Sequence, residues 1–169
     1  FLFPSTGHQE ALAHLQYALS GHGGLVCLTG EVGAGKTTLC RVFLGQLPDD
    51  VKTAYIFNPQ LSASELLQTL CDELGVSYQR EDSLKELYSR LNEALLQWYA
   101  EGRKVLCIID EAQSMPVPLL EQVRLLTNLE THREKLLTLI LVGQPELREL
   151  IERHELRQLS QRITARYHL

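Results

Sequence analysis

The stretch GEVGAGKTTL, Gly30 to Leu39, packs three glycines, a lysine and two threonines directly behind the apolar run LVCLT, Leu25 to Thr29. It fits G-x-x-x-x-G-K-[ST], with Gly30, Gly35, Lys36 and Thr37 at the fixed positions. Glycines let such a loop curl until successive backbone N–H groups point inward, which makes a concave anion cradle ending at the positive end of the next helix. The candidate cradle is therefore Gly30, Glu31, Val32, Gly33, Ala34, Gly35, Lys36, Thr37 and Thr38. Lys36 is expected to reach the β- and γ-phosphates of a nucleoside triphosphate and the Thr37 hydroxyl to ligate Mg2+, with Thr38 behind it on the helix.

A second cluster, VLCIIDEAQ, runs from Val105 to Gln113. The apolar residues read as a buried strand, and Asp110 emerges at its carboxyl end, where open α/β sheets bind ligands. Asp110 is the second candidate metal residue, acting on the Mg2+ shell through water. Glu111 beside it is the candidate base, because a carboxylate there can polarise a water for attack on the γ-phosphorus. The plain alternative for this DE pair is a solvated strand end.

Both clusters need strands that deliver them and helices that cover the strands. Strand candidates are LVCLT, TAYIF (Thr53 to Phe57), KVLCIID (Lys104 to Asp110), LLTLILV (Leu136 to Val142) and ITARYHL (Ile163 to Leu169). Most are near-continuous apolar runs, as strands buried on both faces should be. QEALAHLQYALS places Leu12, Leu15 and Leu19 on one helical face, and GHGG stops that helix. Ser62 stands three residues before Glu65, and Ser83 three before Glu86, so both read as capping boxes ahead of amphipathic helices. The second of these carries Leu84, Leu87, Leu91, Leu95 and Trp98 on a core stripe, and VPLLEQVRLLTNLE turns Leu119, Val123 and Leu126 inward. Alternating strands and helices predict an α/β fold.

At 169 residues and 44% hydrophobic, the chain suits one domain, residues 1–169, with one core. Its net charge of -5 supplies no overall positive field for nucleic acid or anionic lipid, although a local basic segment such as THREKL, Thr131 to Leu136, remains open. No run approaches the roughly 20 apolar residues of a membrane helix, and no signal-peptide pattern is present, so a soluble chain is expected. Cys27, Cys40, Cys71 and Cys107 stand singly in apolar segments and read as buried thiols of a reducing compartment; the six histidines show no metal spacing.

The guanine-recognition pattern N-K-x-D and the L-S-G-G-Q signature of ABC transporters are both missing. A helix before the phosphate loop, a DE pair, a later strand ending in a polar residue and an arginine-bearing segment together resemble the AAA+ superfamily. That resemblance implies a P-loop three-layer sandwich with parallel strand order 5-1-4-3-2, ATP with Mg2+ as the ligand, and hydrolysis of ATP. It puts Gln144 at the sensor 1 position, where the family more often has Asn or Thr; a turn residue before Pro145 is the alternative. Asn58 would stand beside Glu111, or simply start a turn. Arg157, Arg162 and Arg166 are candidates for an arginine finger acting on a neighbouring subunit, with Arg162 preferred and a surface ion pair as the rival for each. A finger in trans implies a homo-oligomer.

FLFPSTGHQEALAHLQYAL, TGEVGAGKTTLCR, YIFNPQLSASELL, IIDEAQ with LLEQVRLLTNLET, and LILVGQPELRELI with LRQLSQRITARYHL are together similar to the general secretion pathway protein A family, the ExeA-type ATPases. The resemblance spans nearly the whole chain. It implies the cytoplasmic ATPase domain of an inner-membrane protein that works with a partner inner-membrane secretion protein during secretin assembly in type II secretion. Pilus-biogenesis ATPases and DNA-associated transposition helpers of the TnsC type share much of the pattern, and an interaction domain that binds nucleotide without hydrolysing it is a further alternative. The helical lid, the membrane span and the peptidoglycan module are expected to be absent from this chain, with residues Phe1 to Gln9 lining the remaining side of the adenine pocket.

Overall fold

The computed structural model describes residues 6–21, 23–57, 59–131 and 133–169. Five strands, β1 (Gly24–Thr29), β2 (Lys52–Phe57), β3 (Val105–Asp110), β4 (Thr138–Gly143) and β5 (Ile163–His168), form one sheet in the order β2-β3-β4-β1-β5. Every neighbouring pair is parallel. Read from the other edge, this is the expected 5-1-4-3-2 order.

Side-chain alternation along the strands splits the interior into two layers. Leu25, Cys27, Cys107, Ile109, Leu139 and Leu141 face α3 (Ala63–Leu74), α4 (Leu84–Ala100) and α5 (Val117–Leu126). Val26, Leu28, Leu106, Ile108, Ile140 and Val142 face α1 (Thr6–Ser20) and α2 (Lys36–Gly45). Two short helices, α6 (Glu146–Ile151) and α7 (Arg157–Arg162), add Leu147, Ile151 and Leu159 to the first layer. The result is the expected three-layer arrangement. Phe43, fully buried against the second layer, anchors α2 and with it the loop that opens the helix. Truncating such a phenylalanine to alanine costs about 3–5 kcal/mol.

The three central strands are buried at every position, whereas edge strands β2 and β5 alternate between covered and exposed residues. An edge strand has a neighbour on one side only, so helices placed to cover the centre leave part of it open to water. Both capping boxes form: the Glu65 N–H donates to Ser62 Oγ at 3.1 Å, and the Glu86 N–H to Ser83 Oγ at 3.1 Å. Leu87, Leu91 and Leu95 are core as expected, but Leu84 and Trp98 lie at its margin, where Lys52 Nζ sits 4.9 Å from the centre of the Trp98 ring. Helix α5 ends sooner than its apolar pattern, because Thr127 Oγ1 turns back onto the Arg124 carbonyl and the chain enters a small hairpin closed by the Glu130 and Lys135 bridge. That hairpin also shortens the expected strand at Leu136 to start at Thr138.

Candidate phosphate and hydrolysis site

The loop between β1 and α2 is held at both ends. Its first residue, Gly30, donates its N–H to the Gly143 carbonyl of β4 at 3.1 Å, and its far end enters α2 when the Leu39 N–H bonds to the Gly35 carbonyl at 2.9 Å. Gly33 and Gly35 adopt φ of 83° and 90°, backbone that L side chains avoid, and these two left-handed turns bend the loop into a cup. At Gly35 space is also short, since a Cβ would lie 3.0 Å from His8 Nε2. His8 itself, on α1, is 2.5 Å from the Ala34 carbonyl, so the first helix braces the loop. The first N–H groups of α2 have no carbonyl one turn back and are left for an anion.

Lys36 opens α2 and is 8% exposed. Its ammonium donates to the carbonyls of Gly30 at 2.7 Å and Glu31 at 2.9 Å, which folds the side chain back over the cup. Glu31, Val32 and Thr38 are exposed, while Thr37 is half-buried and turns towards β3. There the Thr37 hydroxyl donates to Asp110 Oδ2 at 3.0 Å. Asp110, 1% exposed, also accepts the Tyr55 hydroxyl on Oδ2 and the Glu111 N–H on Oδ1 at 2.8 Å. Burial, then the hydrogen bond to Asp110, pushes the Tyr55 hydroxyl above its ordinary value, so it stays a donor. A threonine hydroxyl and a carboxylate side by side at the foot of a phosphate cup are the hard oxygen donors that Mg2+ takes, and they fit a metal and triphosphate ligand.

Glu111 is the one non-glycine residue with positive φ among the described residues, at 58°. A glutamate in left-handed backbone costs roughly 1–2 kcal/mol. A short 3-10 turn, Ala112–Ser114, follows at once and its Ser114 N–H donates to the Glu111 carbonyl at 3.1 Å, holding that conformation. Within the turn the Gln113 side-chain amide donates to Glu111 Oε2, and its oxygen accepts the Gln144 N–H at 3.0 Å. Gln144 directly follows β4, which lies between β1 and β3, so the two sequence clusters and the β4 loop meet at one end of the sheet.

Arg162 is not part of this assembly. Ile163 pairs with Leu25 at the start of β1, so Arg162, one residue earlier, lies at the opposite end of the sheet, about 20 Å along the strands from Gly30 at 3.3 Å per residue. Its guanidinium donates to Asn128 Oδ1 at 2.6 Å and Thr127 Oγ1 at 3.3 Å. Arg157 donates to His154 and Arg166 to Ser160, both in exposed contacts. Asn58 and residues Phe1 to Ser5 lie outside the described residues. Tyr55, His8, Gly143 and the role of Gln113 escaped the sequence. Gln113 was visible as the fourth letter of DEAQ, but nothing in its spacing told that it would face both Glu111 and β4.

A left-handed glycine cup, a lysine folded over it, and a threonine and aspartate pair on the adjacent strand, all at the carboxyl ends of a 5-1-4-3-2 parallel sheet, define a P-loop ATPase domain. Residues 19–151 match the AAA domain family, and the chain belongs to it. It is 50% identical over 169 residues to general secretion pathway protein A of Aeromonas hydrophila, of whose length it spans 31%. In fold it is similar to the ORC2 protein of Aeropyrum pernix, solved as ADPNP-ADP complexes, with TM-score 0.74 and 24% identity over 99% of this chain and 48% of that one. Cdc6p of Pyrobaculum aerophilum is similar too, with TM-score 0.73 and 17% identity over 99% of this chain and 47% of that one. Among the described residues no helix is long and apolar enough to cross a membrane.

Proposed function

We propose that the chain binds Mg-ATP in the Gly30 to Thr38 loop, hydrolyses it, and is the nucleotide-driven part of a bacterial secretion-pathway ATPase. The observation that carries hydrolysis, rather than binding alone, is Glu111 held in left-handed backbone immediately after the buried Asp110. In the proposed step the loop N–H groups and Lys36 grip the β- and γ-phosphate oxygens while Thr37 and Asp110 hold the Mg2+ shell. Held there, Mg2+ would supply positive charge against that of the triphosphate. The Glu111 carboxylate accepts a proton from a water as that oxygen bonds to the γ-phosphorus. The bond from phosphorus to the bridging oxygen breaks, and ADP leaves with its electron pair. Gln144, at the end of β4, orients the water or a γ-phosphate oxygen.

Arg162 lies too far from its own loop to serve it, which supports a role on a neighbouring copy in a homo-oligomer. The 50% identity to general secretion pathway protein A supports a place in type II secretion, at the cytoplasmic face of the inner membrane, with a membrane partner and secretin assembly as the task. The net charge of -5 gives nucleic acid no general attraction. The decisive experiment is Glu111→Gln. Turnover should drop by roughly 100- to 10,000-fold, the range for loss of a positioned base, while ATP affinity is kept; unchanged turnover would remove Glu111 from its role.

A further inference from the structure

We propose that Gln113 is a positioning residue that ties the carboxylate of Glu111 to the β4 loop. The assignment rests on Glu111 acting as the base. The orientation of the Gln113 amide follows from its partners. The Gln144 backbone N–H can only donate, so the atom facing it at 3.0 Å is the amide oxygen. The Glu111 carboxylate accepts, so the atom facing its Oε2 is the NH2 group. One planar amide therefore spans two elements that, among the described residues, share no other side-chain hydrogen bond. Neither half can rotate away without breaking the other contact.

Gly143 shows how closely the bridge is built in. A Cβ at that position would lie 2.7 Å from the Gln113 side-chain oxygen, so a side chain there would push the amide out of the bridge. The carbonyl of the same Gly143 accepts the N–H of Gly30, the first residue of the phosphate loop. Gln113, Gly143 and Gly30 thus join base, β4 loop and phosphate cup through consecutive contacts. A shift of Gln144 with its ligand is passed to Glu111 through one rigid group, and Glu111 reaches its working position only with the β4 loop in place. The bridge also explains how a glutamate on strained backbone, half-exposed at a loop, is kept in one orientation.

Two substitutions separate the halves of the bridge. Gln113→Ala removes both contacts. It should lower kcat by roughly 10- to 100-fold, the cost of misplacing a reacting group by about an ångström, with ATP affinity within about twofold. Hydrogen exchange of the Gln144 amide should accelerate by at least about fivefold, because its acceptor is gone. Gln113→Glu keeps an acceptor for Gln144 but sets a carboxylate against Glu111, so kcat should fall as far while Gln144 exchange stays within about twofold of the parent. Merely structural filling would move kcat and exchange together in both variants. Glu111→Gln is run alongside. If it has lost turnover while either Gln113 variant keeps kcat within twofold of the parent, the bridge is overturned. If Glu111→Gln itself keeps turnover, the reading of Glu111 falls and takes the bridge with it.

Discussion

Lys36→Ala tests the phosphate cup most directly, and its size can be worked out from the contacts. At 8% exposure the ammonium is shielded from water, and it already satisfies the Gly30 and Glu31 carbonyls at 2.7 and 2.9 Å. On ATP it is expected to bond oxygens of both the β- and γ-phosphates. Charge-assisted bonds contribute about 1.5–3 kcal/mol each, and the lower figure applies because water enters the space left by the shortened side chain. Two such bonds give about 3 kcal/mol, or roughly 150-fold in dissociation constant. AMP, which carries neither phosphate, should bind the variant and the parent alike. Fold stability should change little, because the orphaned Gly30 carbonyl, a loss of about 1–3 kcal/mol, is offset by no longer burying an ammonium. The melting temperature should move by no more than roughly 5 °C. Isothermal titration with ATP, ADP and AMP reads the affinities, and a thermal melt reads the stability. If ATP binds Lys36→Ala within threefold of the parent in a protein that melts normally, the loop is not a phosphate cradle and the account built on it fails.

The other expectations are narrower. Gly35→Ala should weaken ATP binding more than Gly33→Ala: both residues have left-handed φ, worth about 1–2 kcal/mol for a side chain, but only at Gly35 does a Cβ also meet His8, at 3.0 Å, while Gly33 has open space. Specific ATPase activity should rise with protein concentration and Arg162→Ala should abolish the rise, whereas a flat profile from dilute to concentrated protein would rule out a finger in trans. Burial pushes the thiols of Cys27 and Cys71 from 9.0 up to about 11, and those of Cys40 and Cys107 up to about 12. All four should resist alkylation at pH 8 until the protein unfolds, since the thiolate is the reacting form. The same shifts make the unfolded chain lose protons first above pH 9.0, so the thiol contribution to stability should shrink as pH rises from there to about 11. Urea unfolding of the parent and a cysteine-to-alanine variant on both sides of that window measures the difference, and equal pH slopes would contradict it.

The phosphate loop, the DE pair, both capping boxes and the three central strands were legible in the linear chain. Each depends on neighbours a few residues apart, such as glycines that permit a left-handed turn, a serine three places before a glutamate, or an apolar run that has nowhere to go but the core. The partners of those residues were not legible. Asp110 meets Thr37 and Tyr55 across 73 and 55 residues, and Gln144 meets Gln113 across 31. Such meetings depend on β4 lying between β1 and β3 and on helices fixing the height of each strand end. Arg162 makes the same point in the opposite direction, since parallel pairing with β1 carries it to the far end of the sheet from its own Lys36. Local backbone chemistry chose the cup and its carboxylates; packing between strands distant along the chain chose what each of them touches.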